Sequence, residues 1–430
     1  MRDTLLIKNA KLREDRIVDI FIEDGKFKRI GDKIDIENVS ILDACGNLVS
    51  PPFCDAHLHL DAVLSVGKPR YNMSGTLLEG INIWGDLKKE LTKEEIKRNA
   101  IEVVKWEVAN GSMYIRTHAD ATDRTGNAVE ALLEVKEEVK DFAELQVVAF
   151  PQDCIFTECG NDKMLEDALI QGCDAVGGLP YMELSPEDGL KDIKYVFDLA
   201  EKYGVPVDIH CDENTDSQSR YVEAMARETV VRGMKGKVTA SHATAMHNYN
   251  NDFVQKLIGN IKRAEMNIVS NPFANSCLQN RTDGYPRHRG HTRIDELMDA
   301  GVNVAAGSDD IMDPWYPMGK GAPLTILNLL VNYAQLSGYG QIKSLFDMIT
   351  ENAAKVMCID DYGIEEGKPA NLIILDADCE FDSIRLCSEV LYTVRKGKII
   401  SRTRPATREF SGIMGNTENI DFKVKKQRHV

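Results

Sequence analysis

Eight short apolar runs, each closing in polar residues and most followed by a helical stretch, constrain this 430-residue chain more than any other feature. They occupy residues 54–60, 113–120, 145–152, 175–180, 205–213, 238–242, 267–271 and 302–309. The clearest intervening helix is predicted to begin at Thr92, where Glu95 completes a capping box, and to stop at Asn110-Gly111. Strands that alternate with helices build a parallel sheet. Eight such units match a (β/α)8 TIM barrel in both count and length. The competing arrangement is an open doubly wound sheet, which lacks support because no GxGxxG follows an early strand.

The two ends of the chain read differently. Runs at 5–8, 17–23, 27–30, 40–42 and 48–50 are strand-like, Asp24-Gly25 is a hairpin signal, and nothing there is helical. Beyond residue 360 short strands return at 371–375, 390–395 and 398–401, with a turn at Lys396-Gly397. The expected architecture is α/β, with residues 53–359 forming the barrel. Residues 1–52 and 360–430 are expected to meet in one small, discontinuous β-sandwich domain. The charged tail, 416–430, is expected to be loosely held.

Charge narrows the classes of partner. Fifty-two Lys and Arg against 68 Asp and Glu leave a formal net charge of −16. That argues against nucleic acid, which a basic face would meet, and against a polybasic membrane surface. No uninterrupted apolar segment reaches the roughly 18 residues of a membrane span, and the apolar run at 4–7 is too short for a signal peptide. The ten cysteines are scattered without a CxxC pair, so neither a zinc ribbon nor a thioredoxin-type motif is present. They read as reduced thiols of a cytoplasmic enzyme.

The placement of the nine histidines is more telling. His57 and His59, in Asp55-Ala56-His57-Leu58-His59, end the first barrel run. Strand residues two apart share a face, so both imidazoles can reach one ion at the barrel mouth, where barrel active sites sit. A lone HxH serves packing as readily as metal binding. His210, His242 and Asp309, however, close the fifth, sixth and eighth runs. Packing explains such a repetition poorly, whereas imidazole and carboxylate together suit one divalent ion, Zn2+ or Fe2+. Such an ion brings the pKa of bound water toward neutrality and so supplies hydroxide.

Glu213, three residues past His210, can fold back over this site as a general acid/base, or it can cap the next helix. His242 is either a ligand or the group that polarises the attacking water. Gln152, able both to donate and to accept, suits an N–C=O edge; its other reading is a cap on the third strand. Trp315 can stack on a flat heterocycle or serve as a plain core aromatic. His118 is read as lining the pocket or filling the core, His247 as starting a helix, and His288 and His291 as a solvated loop.

The segments holding Asp55-Ala56-His57-Leu58-His59, His210-Cys211-Asp212-Glu213, Ser241-His242-Ala243-Thr244 and Ser308-Asp309-Asp310 resemble the amidohydrolase superfamily. Within it the chain resembles the cytosine deaminase branch, a likeness that extends to residues 74–80, 150–153 and 309–316. The resemblance implies that His57, His59, His210 and Asp309 hold the metal, that Glu213 shuttles protons and that His242 helps activate water. It also implies that Gln152, Asp310, Trp315 and Leu77 bind the substrate, and that the enzyme self-associates as a homo-oligomer. Ser308 departs from the family pattern, which has a histidine there. That departure bears on the hydrogen bonds of Asp309 and Asp310 and on the choice of substrate.

The leading reading is a metal-dependent aminohydrolase that converts a small amino-substituted heterocycle, cytosine first, to uracil plus ammonia. Creatinine, 5-methylcytosine, isocytosine and isoguanine present a similar amidine-like edge. Residues 63–91 are expected to form a loop that closes over the pocket. Ring-opening hydrolysis at two metals needs a lysine at the fourth strand end, and Ala175-Val176-Gly177-Gly178 supplies none. The deaminase design with H-x-E and P-C-x-x-C signatures is excluded by the cysteine spacing. A non-catalytic binding protein would be expected to have lost some of these residues, and here all are present.

Overall fold

The structure is a computed structural model describing residues 4–411 and 417–423. Its centre is a ring of eight parallel strands: β1 (Phe53–Leu58), β2 (Ser112–Asp120), β3 (Glu144–Phe150), β4 (Ala175–Val176), β5 (Val207–Cys211), β6 (Val238–His242), β7 (Asn267–Ser270) and β8 (Val304–Ala306). Each is hydrogen-bonded to its neighbour in chain order. A parallel bridge between Leu58 and Asp309 closes the ring. Asp309 N–H donates to His57 O at 2.8 Å, and His59 N–H donates to Asp309 O at 3.0 Å. Every run predicted from the sequence overlaps one of these strands, so the (β/α)8 expectation holds.

Alternation along β5 shows how the layers are made. Val207, Ile209 and Cys211 join the apolar layer between barrel and helices, while Asp208 and His210 alternate with them and so face the other way. The predicted helix is present as Lys93–Ala109, with both bonds of its capping box formed between Thr92 and Glu95. Asn110 and Gly111 terminate it, and Gly111 sits at φ 99°.

Strands from both chain ends form two further sheets. One orders Lys26–Gly31, Ile17–Glu23, Thr4–Lys11 and Ser40–Asp43; the other orders Lys398–Arg402, Val390–Arg395, Leu372–Leu375 and Val49–Ser50. They share an apolar core that includes Ile7, Ile20 and Phe27 from one end and Leu372, Ile374 and Val394 from the other. The intervening Ile373 and Leu375 face the main barrel core instead. A strand covered on both faces must be apolar throughout, which explains the unbroken Leu-Ile-Ile-Leu run. Glu380–Leu386 is a helix that was not foreseen, because its seven residues give too few turns for a periodic signal. The tail expected to be loosely held contains Thr417–Asn419, which pairs with Glu409–Ser411. Residues 412–416 and 424–430 lie outside the described residues. Among the described residues no helix is long and apolar enough to cross a membrane.

The two predicted hairpin turns meet. Asp24 and Gly25 lie at φ 52° and 75°, and Lys396 and Gly397 at 47° and 76°, as type I′ turns require. Ala370 N–H donates to Gly25 O at 2.8 Å and Gly397 N–H to Ala370 O at 3.0 Å, joining both turns to one backbone position. A Cβ at Gly397 would lie 2.7 Å from Ile22 Cγ2. Gly397→Ala is therefore expected to destabilise the protein by about 2 kcal/mol, through left-handed strain and overpacking. Thermal unfolding checks this, and an unchanged midpoint would contradict the packing described.

Candidate active site

The ring closure sets the site. With β1 paired to the exit of β8, His57 and His59 come beside Asp309, and β5 delivers His210 to the same mouth. One ligand atom from each of His57, His59, His210 and Asp309 lies within 4.8 Å of the others. His59 Nε2 and His210 Nε2 are 3.0 Å apart. Asp309 Oδ1 lies 3.3 Å from His57 Nε2 and 3.6 Å from His59 Nε2. Donors about 2.0–2.2 Å from one ion acquire such spacings.

The electrostatics agree. All four groups are buried. Burial, followed by the neighbouring imidazoles, holds His57, His59 and His210 well below the usual histidine range, so that each keeps a lone pair. His57 Nε2 is buried with no hydrogen-bond partner, a vacancy in bonding that a cation satisfies. Burial pushes Asp309 well up, and the charge of Glu213 adds to it; a positive ion relieves both effects. Three imidazoles and one carboxylate therefore fit a divalent ion such as zinc or iron(II).

Two of the strand exits are strained. His242 and Asp309 adopt left-handed φ values of 69° and 65°, a conformation that costs side-chain-bearing residues on the order of 1–3 kcal/mol and clusters at functional sites. His242 Nδ1 lies 3.6 Å from Glu213 Oε1 and 3.8 Å from Asp309 Oδ2. It stands outside the four-donor set. Asn275 Nδ2 is 3.0 Å from the same nitrogen, and burial lowers the His242 pKa to about 3.

Glu213 is buried beside this cluster, its carboxylate accepting from Tyr181 Oη at 2.9 Å and from Gln279 Nε2 at 3.3 Å. Burial pushes its pKa up to about 7, against the pull of those two donors. The helix cap that Glu213 might have supplied comes from its neighbour: Asp212 accepts from Tyr221 N–H at 3.0 Å and Val222 N–H at 2.9 Å. Glu213 is thus left to the site. Tyr181, Gln279 and Asn275 were not found from the sequence, because each lies on a short irregular or helical segment between barrel strands and belongs to no local motif.

A cavity opens over the cluster, and Gln152, Asp310, Trp315 and Leu77 all line it. The segment 63–91 was expected to be a loop. Instead it carries an eleven-residue helix, α1 (Leu77–Leu87), whose Leu77 and Ile81 wall the cavity. Thr76 caps α1, and Glu79 accepts from Met73 and Ser74 N–H at 3.1 and 2.7 Å. Trp84 Nε1 and Lys88 Nζ donate to Asp120 at the end of β2, at 3.0 and 2.8 Å. Gly80 lets the helix lie on Trp315, since a Cβ there would stand 2.3 Å from the indole. Burial, then Asp313 and Asp309, push Asp310 well above the carboxylate range, so this pair can share a proton and Asp310 can donate as well as accept.

Three residues take definite places, His118 in the core that was one of its two readings. Ser308 is absent from the cavity lining; its N–H donates to Asp55 Oδ1 at 3.1 Å, behind the four-donor cluster. His118 does not line the cavity either. It is fully buried, with its ring 4.0 Å from that of His57. His291, read as solvated, is buried and donates from Nδ1 to Thr292 O at 2.5 Å.

The chain is similar to known proteins along most of its length. Residues 40–401 match the model of the amidohydrolase family. A solved structure of 5-methylcytosine deaminase from Klebsiella pneumoniae, liganded with phosphonocytosine, superposes with a TM-score of 0.91 at 40% identity, covering 94% of this chain and 99% of that one. The N-isopropylammelide isopropyl amidohydrolase of Pseudomonas sp. (strain ADP) is 32% identical, over 92% of this chain and 96% of its own. The pterin deaminase of Rhizobium rhizogenes (strain K84 / ATCC BAA-868) is 28% identical, over 86% and 84%.

Removal of one donor tests the cluster directly. His57→Ala is expected to leave the protein folded and to lower its divalent-metal content and activity together. Elemental analysis of the purified variant, beside circular dichroism, is the check; full metal occupancy would rule out His57 as a ligand.

Proposed function

The chain belongs to the amidohydrolase family, and we propose that it is a hydrolytic deaminase of an aminopyrimidine, cytosine or 5-methylcytosine, yielding the oxo-pyrimidine and ammonia. The enzyme is a hydrolase acting on C–N bonds. The carrying observation is Glu213, poised near neutrality by burial and held by Tyr181 and Gln279 at the edge of a cavity that Gln152 and Asp310 also face. A cyclic amidine needs one proton carrier at the ring nitrogen and fixed polar groups along its edge, and this arrangement supplies both.

His57, His59, His210 and Asp309 would hold one divalent ion, zinc or iron(II). Bound there, the ion supplies Lewis acidity that makes water nucleophilic near neutral pH. Glu213 accepts a proton from the attacking water and delivers it to the ring nitrogen beside the amine-bearing carbon. It then carries the remaining proton of the added hydroxyl to the amine, so that the C–N bond breaks, the C=O forms and ammonia departs. His242, within 4 Å of both Glu213 and Asp309, orients the water. Gln152 reads the N–C=O edge with one donor and one acceptor, and Asp310 binds the adjoining ring position. Trp315 and Leu77 wall the ring and, with Ile81 and Leu278, offer an apolar surface suited to a 5-methyl group.

The likeness to 5-methylcytosine deaminase supports this substrate class. The position of Ser308 supports it too, because this departure from the family pattern lies outside the cavity lining, its N–H turned to Asp55. Creatinine and isoguanine become the comparison substrates.

Ammonia release from metal-loaded protein should show a kcat/KM preference for cytosine or 5-methylcytosine over creatinine and isoguanine; the reverse order would overturn the substrate assignment. Glu213→Gln should retain metal and fold while losing about 10²–10⁴-fold in kcat, and near-normal turnover would remove Glu213 from its role. A pH profile examines the same carboxylate. Glu213 must be ionised to accept a proton, so activity falls as pH drops through its pKa. Tyr181→Phe deletes a donor that favours the ionised form, and the acid limb of kcat/KM should move to higher pH. An unmoved limb would show that Tyr181 does not tune Glu213.

A further inference from the structure

The interior of a (β/α)8 barrel is ordinarily filled by branched apolar side chains. Beneath the ligands this barrel holds a polar chain instead. Arg116 and His118 of β2, Asp208 of β5 and Ser241 of β6 are all fully buried. None of them lines the cavity. Arg116 Nη1 donates to Asp208 Oδ2 at 3.0 Å. Ser241 Oγ donates to Asp208 Oδ1 at 2.7 Å and lies 3.0 Å from His57 Nδ1.

The order of donors along this chain has one solution. Paired with a guanidinium, Asp208 is a carboxylate and can only accept. The single hydroxyl hydrogen of Ser241 is therefore committed to Asp208. Its oxygen is left to accept, so the proton between Ser241 and His57 belongs to Nδ1. With Nδ1 protonated, a neutral His57 carries its lone pair on Nε2. That is the atom 3.3 Å from Asp309 Oδ1, buried and without any hydrogen-bond partner.

We infer that Arg116, Asp208 and Ser241 are positioning residues that fix the tautomer of His57 and present its Nε2 lone pair to the metal. None of the three touches the metal or the substrate, and each acts through His57. The inference rests on the reading of His57, His59, His210 and Asp309 as a metal site, and its test is built to fail separately from that reading.

The test uses metal-stripped full-length protein, with Zn2+ alone as the probe, titrated in competition with a chromogenic chelator at fixed pH. Ser241→Ala should weaken Zn2+ binding on the order of 10- to 100-fold, as loss of a partner behind a ligand does. Ser241→Thr, which keeps the hydroxyl, should recover most of that loss. His57→Ala is measured alongside. A large loss in His57→Ala with wild-type affinity in Ser241→Ala would overturn the inference and leave the metal site intact; no loss in either would overturn both. The second measurement needs no variant of Ser241. In metal-free wild-type protein labelled with 15N-histidine, the His57 signals, assigned by their loss in His57→Ala, should report a protonated Nδ1 and a bare Nε2. The opposite tautomer would overturn the inference whatever the fate of the Ser241 variants.

Discussion

Closure of the barrel between β1 and β8 is the contact from which the rest of the site follows. The two backbone bonds that join His57, His59 and Asp309 are ordinary parallel-sheet bonds, yet they bring together residues some 250 positions apart in the chain. Once they form, the alternation of β1 sends His57 and His59 to one mouth. The pairing of Cys211 with His242 and of His210 with Ser241 then sets β5 and β6 at matching height. The donor cluster is a by-product of sheet register. For the same reason it is rigid: moving His57 or His210 would require slipping a strand that the helices cover.

That rigidity comes at an electrostatic cost. Glu213, Asp309 and Asp310 crowd one buried region, and each has its pKa raised, burial being the largest cause in every case. Below them, Asp208 stays low despite burial, because the ring of His118 at 3.7 Å and the donors Arg116 Nη1 and Ser241 Oγ favour its carboxylate. The contrast is physical. A buried carboxylate with a guanidinium beside it is a settled structural group, and deleting one partner of such a pair typically costs about 3–5 kcal/mol. A buried carboxylate among other carboxylates is unsettled, and either a proton or a cation can settle it. On the proposed reading, the molecule thus separates a charged lower layer, inferred to orient the donors above it, from an upper layer whose charge state can change during reaction.

Much of this was legible in the sequence, for identifiable reasons. Strand positions carry a period of two and end in polar residues, so His57, His59, His210, His242 and Asp309 announced both their faces and their place at strand exits. Turn chemistry was equally plain, since Asp24-Gly25 and Lys396-Gly397 demand positive φ. What escaped depends on contacts between distant segments. Tyr181 and Gln279 meet only through Glu213, and no local pattern marks either. The orientation of Ser308 was illegible because the chain leaves the regular strand after Ala306 and turns into left-handed backbone at Asp309, where alternation no longer tells which way a side chain points. Helix α1 was read as loop because its mean composition is apolar and its polar face small, which blurs the amphipathic signal.

The distribution of parts also separates chemistry from selectivity. The proposed ligands and their orienting partners sit on, or at the ends of, barrel strands. The proposed substrate wall comes from elsewhere: Leu77 and Ile81 from α1, Gln152 from the turn after β3, and Asp310 and Trp315 from the segment after β8. These pieces touch the barrel through a few specific bonds, such as those of Trp84 and Lys88 to Asp120. Loops and added helices tolerate exchange far better than paired strands do. A change of substrate therefore requires new residues on α1 and the two loops, with the strand-borne cluster left alone. Relatives that act on an ammelide or a pterin, at 32% and 28% identity over most of this chain, are what such a division of labour would produce. By the same logic Ser308, which is absent from the cavity lining and whose N–H is bonded to Asp55, stands apart from the wall formed by Leu77, Gln152, Asp310 and Trp315, the residues to which the proposed function assigns the choice of heterocycle.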